Sequence, residues 1–195
     1  MKDTASRLIS SVKTAVAKYG LAKLSTRNIA ETAGVNDALI YRYFDSKEEL
    51  LRRAYEQESS GLFATMIGFL DEVYNIPFSF RDKARLHFHK SWRELLSDPD
   101  RLSFLSGYFH SGYLKPVVEF HVRQIDQLRS RLGGLFPDEH ACNWAMYSIM
   151  TLLYDAAKFV VDGVCGDTPE VEERAFKMGF ALLESQMKEN TELQR

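Results

Sequence analysis

Apolar residues recur at spacings of three and four along nearly all of this chain, and no stretch sustains the alternation of a half-buried strand. That pattern commits the sequence to an all-α fold of about nine helices. The first is predicted over Thr4 to Tyr19, where Leu8, Val12, Ala15, Val16 and Tyr19 share a face and Gly20 ends it. A short second helix starts at a cap on Ser25 or Thr26 and stops at Gly34, and a third starts at Asn36 or Asp37 and stops near Phe44. Ser46, with Glu49 three residues on, is a capping-box start for a long fourth helix reaching about Val73. Further helices are expected to about Leu96, over Arg101 to His110, on to Leu132, over Asp138 to Val161 and over Pro169 to Lys188. Asp98-Pro99, Gly112 with Pro116, Gly133-Gly134 and Gly163 with Gly166 punctuate them. The last seven residues, ENTELQR, are expected to fray.

Charge is distributed unevenly. The net charge of -2 does not advertise a nucleic-acid binder, but residues 1–55 hold ten Lys/Arg against six Asp/Glu, whereas the remainder holds fifteen against twenty-one. A basic first quarter joined to an acidic remainder suggests that only the N-terminal part meets a polyanion. No run of about 18 apolar residues is present, so no membrane span is expected. The amphipathic N-terminus, with Lys13 and Lys18 inside its pattern, lacks the apolar core of a signal peptide, so the protein is expected to be cytoplasmic. Cys142 and Cys165 lie in apolar helical surroundings and are read as free thiols.

The segment from Leu24 to Ala54 carries the clearest local chemistry. Two short helices joined by a tight turn cross closely only where the crossing residues are small, and Ala30 and Gly34 meet that need. Val35, Leu39 and Ile40 form an apolar underside that can pack on Ile29, Ala33 and the first helix. This is a helix-turn-helix, whose second helix enters the major groove of DNA. Arg42 can donate two hydrogen bonds to guanine, and Ala38 or Leu39 can touch a thymine methyl. Tyr41, Tyr43 and Lys47 offer phosphate contacts, as do Thr26 and Arg27 where a helix N-terminus also favours an anion. Packing alone is the competing reading of the same residues.

In combination, Thr26 with Ile29-Ala30, Ala33-Gly34-Val35, Ile40-Tyr41, Tyr43-Phe44, and Ser46-Lys47-Glu48 with Leu50 resemble the DNA-binding domain of TetR-type (tetracycline-repressor-like) transcriptional regulators. The resemblance covers about fifty residues; the rest agrees only in architecture. It implies a homodimeric repressor on a palindromic operator, with a C-terminal domain that binds a small effector. It divides the chain into a helix-turn-helix domain, 1–46, and a ligand-binding and dimerisation domain, 47–195. Carried over to this sequence, the family's DNA contacts fall on Thr26, Arg27, Asn36, Asp37, Ala38, Tyr41, Tyr43 and Lys47. Asp37 departs from the usual small, polar or basic residue; it repels phosphate but can accept from cytosine N4. Leu39 replaces a frequent small polar residue and loses a hydroxyl contact.

The middle of the chain is rich in aromatics, most of them expected in the core. Trp92, Tyr108, His110, Trp144 and Tyr147 are amphipathic enough to line an effector cavity, with Asp155 as an ion-pairing group; the ligand is expected to be mostly apolar or aromatic. His87 and His89 are two apart and point to different sides of a helix, so no metal site and no cofactor are expected. None of GxSxG, GxxxxGK[ST] or HExxH is present, and catalysis is not expected. The eighth helix is apolar nearly all round, which requires burial on two sides. Leu152, Phe159, Phe176, Phe180 and Leu183 on the eighth and ninth helices are therefore candidates for a dimer interface. The alternative function is a helical small-molecule binding or interaction module without a specific DNA target.

Overall fold

The computed structural model describes residues 4–188. Among them are nine α-helices and no strand: α1 Thr4–Tyr19, α2 Thr26–Ala33, α3 Ala38–Tyr43, α4 Lys47–Tyr74, α5 Phe80–Ser97, α6 Pro99–Phe109, α7 Val118–Leu132, α8 Glu139–Val161 and α9 Pro169–Gln186. The periodicity anticipates all nine. One start lies earlier than expected: Asp98 caps α6, its carboxylate accepting from the Arg101 amide at 2.9 Å, and Pro99 occupies the first turn. The Asp98-Pro99 pair is thus the beginning of a helix, because proline needs no donor there. A 3-10 turn, Gly112–Val117, precedes α7 and absorbs Pro116. The ENTELQR tail lies outside the described residues.

The chain folds as two compact units. The first takes the residues up to Gly61 and adds Asp98–Phe120; the second takes Leu62–Ser97 and the residues from His121 on. The boundary expected after residue 46 is a division by function, and packing groups the residues differently, because α6 packs on α1.

The first unit is built around α1. Leu8, Val12, Ala15 and Val16 are buried and face α2, α3 and α6. Leu102, Leu105 and Phe104 bring the apolar face of α6 to this core, and Leu50, Leu51, Ala54 and Tyr55 bring that of α4. Tyr108 is sandwiched, stacking on Tyr55 at 4.1 Å and on Tyr113 at 5.8 Å between centroids. A half-buried ion cluster joins three helices: Lys13 Nζ donates to Asp98 at 2.7 Å and to Glu58 at 3.4 Å. Burial alone would pull the Lys13 ammonium down, but the two carboxylates outweigh it and its pKa is raised. Burial likewise opposes ionisation of Asp98, but the Lys13 ammonium and the Arg101 amide together outweigh it, and its pKa is lowered.

In the second unit, α9 packs against α5 and α8. An aromatic ladder runs along the α5–α9 seam: Phe88 stacks on Trp92 (5.9 Å) and meets Phe176 edge-on (5.6 Å), Phe176 leads to Phe180 (5.5 Å), and Phe180 meets Phe80 (6.1 Å). Arg85 and Arg81 cover Phe176 and Phe180 from outside at 4.7 and 4.8 Å. Gly179 lets the helices come close: a Cβ there would lie 3.3 Å from Leu152 and 3.9 Å from Phe88. Ile125, Phe136, Cys142, Ala145, Met146 and Met187 form a second apolar cluster. Ion pairs fix the start of α9 to α5. Arg93 donates to Asp167 at 2.9 and 3.0 Å and to Glu172 at 2.6 Å, and His89 Nδ1 donates to Glu172 at 2.5 Å. His121 is buried on α7, and burial alone pushes its imidazole down to about 4, which holds it neutral.

Candidate nucleic-acid interface

The local sequence explains why α2 and α3 stand where they do. The Ser25 hydroxyl accepts from the Asn28 amide at 3.2 Å, and Asn28 Oδ1 accepts from the Ser25 amide at 3.1 Å, a reciprocal box that starts α2. The helix stops at Gly34, whose φ of +65° lies in the left-handed region that a side chain disfavours. Its amide donates to Glu31 O and the Val35 amide to Ala30 O at 3.0 Å, closing a Schellman turn. Gly34 is therefore needed for its backbone rather than as a small crossing residue. Arg7 clasps this end from α1, donating to Ala33 O at 2.6 Å and to Gly34 O at 3.4 Å. Sequence reading missed Arg7, since nothing in its neighbours marks which carbonyls it will reach.

After the turn, Asn36 Oδ1 accepts from the Ala38 amide at 2.8 Å and starts α3. Ile40 is completely buried beneath the helix and Leu39 is half-buried. Asn36, Asp37, Ala38, Tyr41, Arg42 and Tyr43 are all exposed, with Tyr41 at 65%. Arg27 is exposed and Thr26 half-buried at the start of α2. Lys47 is half-buried, its ammonium donating to Leu24 O at 3.2 Å, so it ties α4 to the strand of chain entering α2. The side chains predicted to meet DNA thus lie on α3 and on the starts of α2 and α4 beside it. The chemistry of that face is donors and phenols above an apolar base, with one carboxylate, Asp37, that makes no cap hydrogen bond.

The residues predicted for an effector cavity do not share one compact unit. Tyr108 and His110 belong to the first, where Tyr108 is buried in the stack on Tyr55. Trp92 is fully buried in the second, and its indole N–H has no acceptor among the described residues. Trp144, Tyr147 and Asp155 line an open groove of about 640 Å³ between α8 and α9. Leu152 and Phe159, two of the predicted dimer residues, line the same groove. Phe159 is 54% exposed and Trp144 67%. Phe176 and Phe180 are instead buried in their own unit, and Leu183 packs beside the Ile125–Phe136 cluster. The outward side of α9 is made by Val171, Arg174 and Met178, which sequence reading passed over.

A three-helix arrangement with a buried Ile40 and an exposed α3 defines a helix-turn-helix. The sequence model described as "Bacterial regulatory proteins, tetR family" matches residues 13–54. An uncharacterized HTH-type transcriptional regulator of Haemophilus influenzae is 30% identical over 106 residues, 54% of this chain and 54% of that protein. The chain thus matches about half the length of that relative. A TetR family transcription regulator from Marinobacter aquaeolei VT8 has the same fold, with a TM-score of 0.68, 20% identity and 95% of this chain and 96% of that chain covered. The fatty acid degradation regulator FadR from Bacillus halodurans superposes with a TM-score of 0.61 at 18% identity, over 94% of this chain and 96% of that one. Residues 13–54 thus match the TetR-family model, and the fold of the chain is the one that these regulators share.

Proposed function

We propose that the protein is a ligand-responsive transcriptional repressor that binds a palindromic operator as a homodimer. The observation that carries this reading is α3 itself: a six-residue helix seated on Ile40 with every other residue but the half-buried Leu39 exposed, next to the basic α2 start. Such a helix fits the major groove, which admits one α-helix, while tyrosines and lysines at its flanks meet phosphates.

The α8–α9 groove supports the dimer. Its lining is mainly apolar, with Trp144 and Phe159 raised from the surface and Asp155 and Arg174 within it. A second copy related by a two-fold axis presents the same apolar ridge and the same two charges of opposite sign, so it is self-complementary. Two heads on one two-fold axis read two half-sites one helical turn or more apart, which is why the operator is palindromic. The effector is a mostly apolar or aromatic molecule held in the second unit. The Trp92 indole N–H, buried without an acceptor among the described residues, supports one hydrogen bond to such a ligand. By binding one arrangement of the dimer better than another, it lowers operator affinity.

Selection of bound duplexes from a random pool tests the reading, followed by sedimentation of the protein with the selected duplex. The expected result is an enriched inverted repeat carrying two chains. A pool that enriches no sequence overturns it. In a Trp144→Phe background, emission from Trp92 reports effector binding; a compound that quenches it and leaves operator binding unchanged overturns the effector role.

A further inference from the structure

We propose that Arg42 is the base-reading residue of α3 and that it reads guanine, so that each preferred half-site carries a G·C pair facing it. This inference rests on the DNA-binding reading above and adds a named base to it.

The orientation of α3 is set by Ile40, which is wholly buried. At about 100° per residue, Ala38 and Arg42 lie about 160° and 200° round the helix from Ile40, directly away from the protein. Tyr41 falls about 100° to one side, with Leu39 and Tyr43 on the other. The side chains pointing at the groove floor are therefore Ala38 and Arg42, with phenols on both flanks. Ala38 is short and lets the helix come close; Arg42 then supplies the reach.

The polar residues just before α3 are already used or unsuited. Asn36 has spent its side-chain oxygen on the Ala38 amide, so it lacks the acceptor half of a paired contact with adenine. Asp37 is acceptor-only. Arg42, by contrast, is free to act. Of the five arginines before residue 61, Arg7 holds Ala33 O and Gly34 O, Arg52 pairs with Glu56, and Arg53 pairs with Glu49. Arg27 stands on α2, which crosses the backbone. Among the described residues the Arg42 guanidinium lies over the Tyr43 ring at 5.9 Å, which leaves its N–H edge unpaired. Two parallel donors on a rigid fork need two acceptors on one base edge. In the major groove guanine offers O6 and N7 together, whereas adenine sets a donor beside its acceptor.

The test repeats the selection from a random pool with the wild-type protein, Arg42→Ala and Arg42→Lys. Arg42 is exposed, and both variants are expected to melt like the wild type. The wild type is expected to enrich a fixed G·C pair in each half-site. Arg42→Ala should relax that single position, with discrimination there falling about tenfold or more, and keep the others. Arg42→Lys should keep guanine with weaker preference. If the wild type enriches a motif and Arg42→Ala enriches the same one, the inference fails and DNA binding stands. A uniform loss across all sequences with a shallower salt dependence also overturns it, since that marks a phosphate contact. A wild-type pool without any motif overturns the DNA-binding reading and this one with it.

Discussion

The α3 face and the α8–α9 groove both show large side chains to solvent, and they differ in what lies between those side chains. On α3, Tyr41 and Tyr43 stand among Arg42, Asn36 and Asp37, each with a polar tip that water satisfies. In the groove, Trp144, Phe159 and Met178 are spaced along two long helices with few polar groups among them. The first surface is suited to a partner that is itself wet and charged. The second loses free energy in water in proportion to its apolar area and is suited to a partner of its own kind. Aromatic exposure alone does not distinguish a nucleic-acid face from a protein face; the spacing of polar groups does.

Four changes break or sharpen this contrast. The largest effect is expected from Phe176→Ala, on the side of α9 opposite the groove. It removes a ring buried against Phe88, Phe180 and Arg85, and should cost about 3–5 kcal/mol of stability in denaturant unfolding. If that variant instead kept its stability and lost association, the two sides of α9 would have been assigned the wrong way round. Phe159→Glu, on the groove side, should leave the fold intact and give monomers by sedimentation. Operator affinity should then fall by roughly two orders of magnitude, because the linkage between the two heads is lost. A dimer that survives Phe159→Glu would mean that the groove is covered by something else.

The third change is in pH. His121 titrates near its ordinary 6.5 in the unfolded chain and at about 4 when buried. Between those values the unfolded state binds the extra proton, so the contribution is whole above about pH 6.5 and is lost as pH falls toward 4. Between pH 7.5 and 5 the loss should be about 2 kcal/mol in a denaturant midpoint series. His87, also pushed down by burial, acts in the same direction. His121→Gln should flatten this slope, and an unchanged slope would remove His121 from the account. The smallest effect is expected at Asp37→Asn, which takes a negative charge off the α3 face. It should tighten binding to any duplex by about threefold at low salt. Dimerisation in the groove should not respond to it.

The helices were legible because each is written in local code. Ser25 with Asn28, Gly34, and Asp98 with Pro99 act within one turn of themselves. The α3 face was legible for the same reason, since six consecutive residues contain both its buried anchor and its exposed edge. What was not legible is how helices choose neighbours. Phe176 and Phe180 head the strongest apolar stripe on α9, and the strongest stripe goes to the chain's own core. The outward side, with Arg174 between Val171 and Met178, is diluted and reads as ordinary surface. Tyr108 looked like a pocket residue, because its stacking partner Tyr55 is more than fifty positions away and on another helix. Gly34 was assigned a packing role because smallness is visible in a sequence and a positive φ is not.

The place of α6 has a consequence for anyone wishing to transplant the DNA-reading head onto another regulator. The unit that contains α1, α2 and α3 is completed by residues after Asp98, so no single cut in the chain separates it. A fragment ending at Gly61 would leave Leu102, Phe104, Leu105 and Tyr108 behind, and would expose the faces of α1 and α4 that these four side chains cover. Lys13 would also lose Asp98 and keep only Glu58. A working graft has to carry α6 along with the first sixty residues, or supply from the host a helix of the same shape. The reading head is therefore inherited as two separated pieces of gene, and recombination between relatives has to respect both.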